Sequence, residues 1–168
     1  LATPEKDEGL LWSIERDGRR WFLHHRKLPP MRLVVGFTGV SALTGPLVAG
    51  VRELVDAKPE ARRWIEEIGE ITIQGLRALQ ARDWARAGAL MDRDHELLNA
   101  LGVGHPLLDK LVVAARPSSH GAKLTGAGGG GSMIALTDHP EETAAAITAA
   151  GGRAFVVHAE SKGAMMLA

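Results

Sequence analysis

The sequence predicts an α+β domain built on a small, mainly antiparallel sheet. Three observations carry that prediction. Short β-type runs at 31–37, 122–125, 132–136 and 153–158 are separated by one long block of helical stripes and one short one. The six-residue segment from Gly126 to Gly131, glycine at all but Ala127, lies between two of those β runs. Apolar residues make up 45% and charged residues 24% of the 168 positions, the profile of a folded chain with a core.

Taken in order, residues 1–8 are polar and contain Pro4, and read as a tail or a cut connection. Leu10 to Ile14 reads as a strand, Asp17-Gly18 as a hairpin turn and Trp21-Phe22-Leu23 as the returning strand. Pro29-Pro30 breaks the chain before Met31-Arg32-Leu33-Val34-Val35-Gly36-Phe37, a mostly apolar strand. Thr44-Gly45-Pro46 opens a helix that places Leu47, Val48, Val51, Leu54 and Val55 on one face. A longer helix follows Lys58-Pro59, with a stripe of Trp64, Ile65, Ile68, Ile71, Thr72, Gly75, Leu76 and Leu79. A third begins near Asp83 and aligns Trp84, Ala87, Met91, Leu98 and Leu101, with Gly102 as its stop. His105-Pro106 opens a fourth, which ends at Pro117. After the glycine segment, Asp138 and Glu141 have capping-box spacing at the start of a last helix, which stops at Gly151-Gly152 before the final strand.

Several function classes are excluded or disfavoured by composition. Twenty basic and twenty acidic side chains cancel, so no global field argues for nucleic acid or a charged membrane surface as partner. The absence of cysteine removes disulfides and thiolate metal sites and fits a reducing compartment, so a cytoplasmic location is expected. No apolar run reaches bilayer-spanning length and no signal-peptide pattern is present. The seven histidines lack metal-ligand spacing, and no metal site is expected. The chain begins with Leu1, which suggests a piece of something longer.

The glycine segment carries the functional argument. Ordering it is entropically costly, so it implies close approach of bare backbone to an anion or to other backbone. Gly126, Gly128 and Gly131 satisfy G-x-G-x-x-G, but a β run follows where a dinucleotide fold needs a helix. No Gly-Lys-Ser or Gly-Lys-Thr occurs, which excludes a Walker A loop. A flexible linker is the bland alternative, and the strand-like flanks argue against it.

Lys123-Leu124-Thr125-Gly126-Ala127-Gly128-Gly129-Gly130-Gly131 closely resembles the third motif of the GHMP small-molecule kinases, in the form carried by their mevalonate kinase branch. Leu97-Leu98-Asn99-Ala100-Leu101-Gly102-Val103-Gly104-His105 and Val35-Gly36-Phe37-Thr38-Gly39 are similar to other stretches of that branch, and in motif order the likeness runs from about Gly9 to Val157. The resemblance implies a ferredoxin-like C-terminal domain with inserted helices over 31–168. Residues 1–30 would be closing strands of an incomplete N-terminal domain. It also implies transfer of the γ-phosphoryl group of ATP, with Mg2+, to the 5-hydroxyl of mevalonate as part of a longer enzyme. The N-terminal half of that enzyme would be the partner that binds most of the ATP and metal. A homodimer is a further possible assembly. No catalytic residue is assigned in this chain: the family's aspartate would fall at or before Leu1, and Asp7 is given no role.

The expected phosphate-facing loop is Thr125, Gly126, Ala127, Gly128, Gly129, Gly130, Gly131 and Ser132, with Ser132 standing where the family often has cysteine. Lys123, His95 and Thr44 are candidates to face the cleft. For each a structural reading stands beside the functional one: a salt-bridged Lys123, a satisfied boundary His95, a helix-start hydrogen bond for Thr44. Asp94-His95 departs from the Asn-Gln usual in relatives, and 117–120 departs from their small-residue turn. Two other readings remain: a GHMP kinase for phosphomevalonate or a sugar, and a non-catalytic binding or dimerisation domain. The chain alone is expected to show no kinase activity.

Overall fold

A computed structural model describes residues 10–24 and 26–159. The expectations placed on 1–8 and on Asp7 lie outside the described residues. The hairpin is β1 (Leu10–Arg16) and β2 (Arg19–His24), paired antiparallel. Asp17 (φ 52°) and Gly18 (φ 70°) both sit in the left-handed region, which is why Asp-Gly is the residue pair that turns here.

The main sheet contains β3 (Met31–Phe37), β4 (Gly121–Thr125), β5 (Ser132–Leu136) and β6 (Arg153–Ala159) in the order β4-β5-β3-β6, all antiparallel. This is the ferredoxin-like order. Its first crossover is expanded into four helices, α1 (Thr44–Ala57), α2 (Pro59–Gln80), α3 (Trp84–Ala100) and α4 (Pro106–Ala115), and its second is α5 (Pro140–Ala149). The α+β expectation and its element order hold throughout.

The main core forms where α4 and α5 lie on the sheet. Leu108, Leu111 and Val112 of α4 and Ile147 of α5 close over Val34, Leu124, Met133 and Ala135. Each buried leucine or isoleucine contributes roughly 1.5–3 kcal/mol by leaving water. A second, smaller cluster joins Ala78 and Ala87 of α2 and α3 to Leu136, with Met31, Leu33, Trp84 and Met91 around it. Ile65, placed on the α2 stripe by periodicity, is instead exposed.

Two helix stops match their sequence signals. Gly102 (φ 79°) and Gly151 (φ 95°) take left-handed geometry just past α3 and α5. The capping box at α5 does not form. Its cap position is His139, with no side-chain cap bond. Asp138 Oδ2 instead lies 2.8 Å from His120 Nε2, and Thr137 Oγ1 accepts from the His139 amide at 2.9 Å. A tertiary partner has outcompeted the local one.

Candidate functional site

The glycine loop joins β4 to β5, and its path is set by three neighbouring backbones. Gly129 N–H donates to Val103 O at 2.8 Å, and Gly131 N–H donates to Val40 O at 2.7 Å. Gly131 O accepts from both the amide and the hydroxyl of Thr38, each at 2.9 Å. Gly126, Gly128, Gly129, Gly130 and Gly131 all have φ between 68° and 136°. A side chain at any of them would be strained by roughly 1–2 kcal/mol before any contact is counted.

Contacts then separate these glycines. A Cβ on Gly128 would overlap the Val103 carbonyl oxygen. One on Gly129 would sit 2.9 Å from Leu47 Cδ1 and 3.0 Å from Ala42 Cβ, and one on Gly130 would sit 2.9 Å from Val40 O. Gly126 and Gly131 face open space. The middle of the loop is therefore wedged between the 38–42 segment, the start of α1 and the turn after α3.

That wedge determines which amides remain for a ligand. Not all of the loop can serve, because the Gly129 and Gly131 amides bond to the protein itself. Among the described residues, the amides of Gly126, Ala127, Gly128 and Gly130 have no hydrogen-bond partner. Beside them begins α1, whose cap residue Leu43 supplies no side-chain bond to the first turn. Unpaired amides of a loop and of a helix start are the kind of backbone donors that phosphate oxygens favour. Ser132 leaves the loop as the first residue of β5, opposite Thr125 on β4 and Phe37 on β3.

The three other candidates are placed differently. Thr44 is the first residue of α1, exposed, and its hydroxyl makes no hydrogen bond among the described residues, so its expected helix-start bond is absent. Lys123 Nζ lies 2.7 Å from Asp94 Oδ2, an ion pair between β4 and α3. His95 is only 4% exposed, and its ring is fully engaged. Its Nδ1 accepts from the Leu124 amide at 3.2 Å, which leaves the proton on Nε2, 3.0 Å from Asp109 Oδ1. Burial pushes this imidazole below its ordinary value of 6.5, Asp109 pulls the other way, and Arg116 adds to the lowering. The boundary reading of His95 describes what the ring does: it holds β4 just before the loop.

Asp92 works with it, a role that no pattern in the sequence signals. Asp92 Oδ1 accepts from the Ala122 amide at 2.9 Å and from Arg116 Nε at 3.0 Å. Residues 92 and 95 are one helical turn apart, about 5–6 Å, which matches the two-residue step of about 6.6 Å between Ala122 and Leu124 on the strand. Helix α3 can approach this closely because Gly88 and Gly121 face each other, and a Cβ on either would overlap the other's backbone region. The signal was present only as two isolated glycines 33 positions apart in the chain.

Residues 76–156 match the family described as GHMP kinases C terminal. The chain is 40% identical over 159 residues to a mevalonate kinase of Thermococcus gammatolerans, covering 84% of this chain and 47% of that protein. It is 36% identical over 119 residues to the human mevalonate kinase, covering 66% of this chain and 30% of that protein. The crystal structure of L. major mevalonate kinase in complex with R-mevalonate superposes with a TM-score of 0.71 at 29% identity, over 82% of this chain and 43% of that one. Streptococcus pneumoniae phosphomevalonate kinase shares the fold, with a TM-score of 0.73 at 20% identity over 86% of this chain and 44% of that one. The chain spans about half the length of the curated relatives it matches. It belongs to the GHMP kinase family, and what it carries is that family's C-terminal domain.

Proposed function

We propose that this chain is the C-terminal half of a mevalonate kinase, which transfers the γ-phosphoryl group of ATP to the 5-hydroxyl of mevalonate in the cytoplasm. The observation that carries the reading is the wedged loop with four unpartnered amides, on a chain about 40% identical to proteins named mevalonate kinase. Such a transfer depends on positioning and on stabilising charge at the phosphoryl oxygens. In this reading the amides of Gly126, Ala127, Gly128 and Gly130 face those oxygens or the phosphate loop of the N-terminal half. Val103, Val40 and Thr38 hold them there without reorganisation.

In this reading Mg2+ and the proton-accepting group belong to the N-terminal half. By itself this half is a wall of the cleft and turns nothing over.

The test is a coupled assay of the complete enzyme with mevalonate, phosphomevalonate and galactose as acceptors. Turnover with mevalonate is expected, and turnover with another acceptor alone would overturn the substrate assignment. Gly129→Val would collide with Leu47 and Ala42 and displace the neighbouring Gly128 and Gly130 amides, so it should lower kcat by about 10²-fold or more, the scale seen when one preorganised donor is lost. Gly126→Ala, which meets nothing within 4 Å, should be far milder. Wild-type kcat and ATP affinity in the Gly129→Val enzyme would remove the loop from the site.

A further inference from the structure

At the end of the sheet opposite the glycine loop lies a cavity of about 350 Å3 that the proposed reaction does not use. Along the strands His120 is five residues from Thr125 and Leu136 is four from Ser132, so the cavity lies about 13–17 Å from the loop. Its walls carry Arg32, Arg82, His120 and His158, with Asp138 and the indole of Trp84. Arg32 and His158 stand directly opposite each other on β3 and β6. The one carboxylate is already engaged, since Asp138 Oδ2 lies 2.8 Å from His120 Nε2. Arg32 Nη1 donates to the Asp138 carbonyl at 3.2 Å, which fixes the guanidinium at the rim.

Arg82 is the informative residue. It occupies the turn between α2 and α3, where Arg82 N–H donates to Leu79 O at 3.1 Å and Asp83 N–H donates to Ala78 O at 2.9 Å. That is the helix-ending motif whose left-handed position is normally glycine. Arg82 holds φ 58° there, at a strain of roughly 1 kcal/mol or more. Among the described residues its guanidinium has no hydrogen-bond or ion-pair partner, and neither has His158. A strained backbone that presents an unpaired cation to a cavity already lined by a second arginine and two imidazoles is an arrangement for an anion.

We propose that this cavity binds a small multivalent anion of the phosphate class, an inorganic phosphate or diphosphate or the phosphate group of an ester. Arg82 and Arg32 are its guanidinium donors and His158 is a third. The planar forks of two arginines suit phosphate oxygens better than lone ammonium groups would. The site is separate from the glycine loop and does not depend on the kinase reading.

The experiment is calorimetric titration of the full-length protein, with the nucleotide site filled by a non-hydrolysable ATP analogue. Inorganic phosphate, pyrophosphate and glycerol phosphate are the three probes. Wild-type protein should bind at least one of them at one equivalent. Arg82→Gly should bind it about tenfold more weakly or worse, as loss of one charge-assisted donor pair implies. Because glycine relieves the left-handed strain, Arg82→Gly should also melt at the same or a higher temperature, which separates lost binding from lost folding. Arg32→Gln serves as the second variant and should weaken binding in the same way. Preference for the ester over the inorganic ions would assign the ligand to esters, and the reverse preference to free phosphate; either supports the site. No binding at low-millimolar probe, or equal affinity in wild type and both variants, would overturn it.

Discussion

The two sides of this molecule are finished to different degrees. Under α4 and α5 the chain has closed its own core: Leu108, Val112, Met133 and Ile147 are each fully buried. Helix α1 and the β1–β2 hairpin show the opposite. Not one residue of α1 is buried, Leu43 just before it is 79% exposed, and Trp21 and Phe22 of the hairpin are nearly half exposed. A helix of 14 residues is marginal in water on its own, and a two-stranded hairpin is no better. Apolar residues on both are therefore explained by surface that the described chain does not provide. The glycine loop sits on the boundary between the two sides, touching Leu47 of α1 from one direction and Val103 from the other. The chain spans 47% of the length of its Thermococcus relative.

Substitutions on each side sharpen that contrast. Leu108→Ala removes a fully buried side chain from the closed core and should cost about 2–5 kcal/mol in denaturant unfolding. A loss well under 1 kcal/mol would mean that the core is not closed.

His95 should give an intermediate, pH-dependent effect. Its folded-state pKa is depressed, so below about 6.5 the unfolded chain binds a proton that the native one resists. Its contribution is present above that value and is lost as pH falls towards the folded pKa. His95→Gln should flatten this acid-side slope, read as the pH dependence of the unfolding midpoint. An unchanged slope would show that His95 is not the group responsible.

The smallest effect is expected on the open side. Val48→Ser, at a residue 56% exposed, should change the stability of this chain by no more than about 0.5 kcal/mol. A loss of core size would break the comparison outright.

Most of the fold was legible because its signals are local. Asp17-Gly18 dictates a turn by backbone sterics alone, and the stripe on α3 brings Ala87 and Leu101 to the buried face. The failures that bear on the site involve distant partners. Asp138 has the right spacing to cap α5, yet His120, 18 positions away, takes its carboxylate. The loop was readable as bare backbone, but not which amides are free, since that depends on Val103 and Val40. Asp92 carries no distinguishing pattern at all, because its partners Ala122 and Arg116 lie 24 to 30 positions on.

The contact of α3 with β4 has a consequence for how the sheet can associate. β4 is a border strand, and such strands recruit further strands through their free amides. Here Asp92 and His95 occupy the Ala122 and Leu124 amides in the manner of a neighbouring strand that is not there. Lateral growth is blocked on the side that leads into the glycine loop. Any strand-to-strand association of this sheet, productive or aggregating, is left to its other border, along β6.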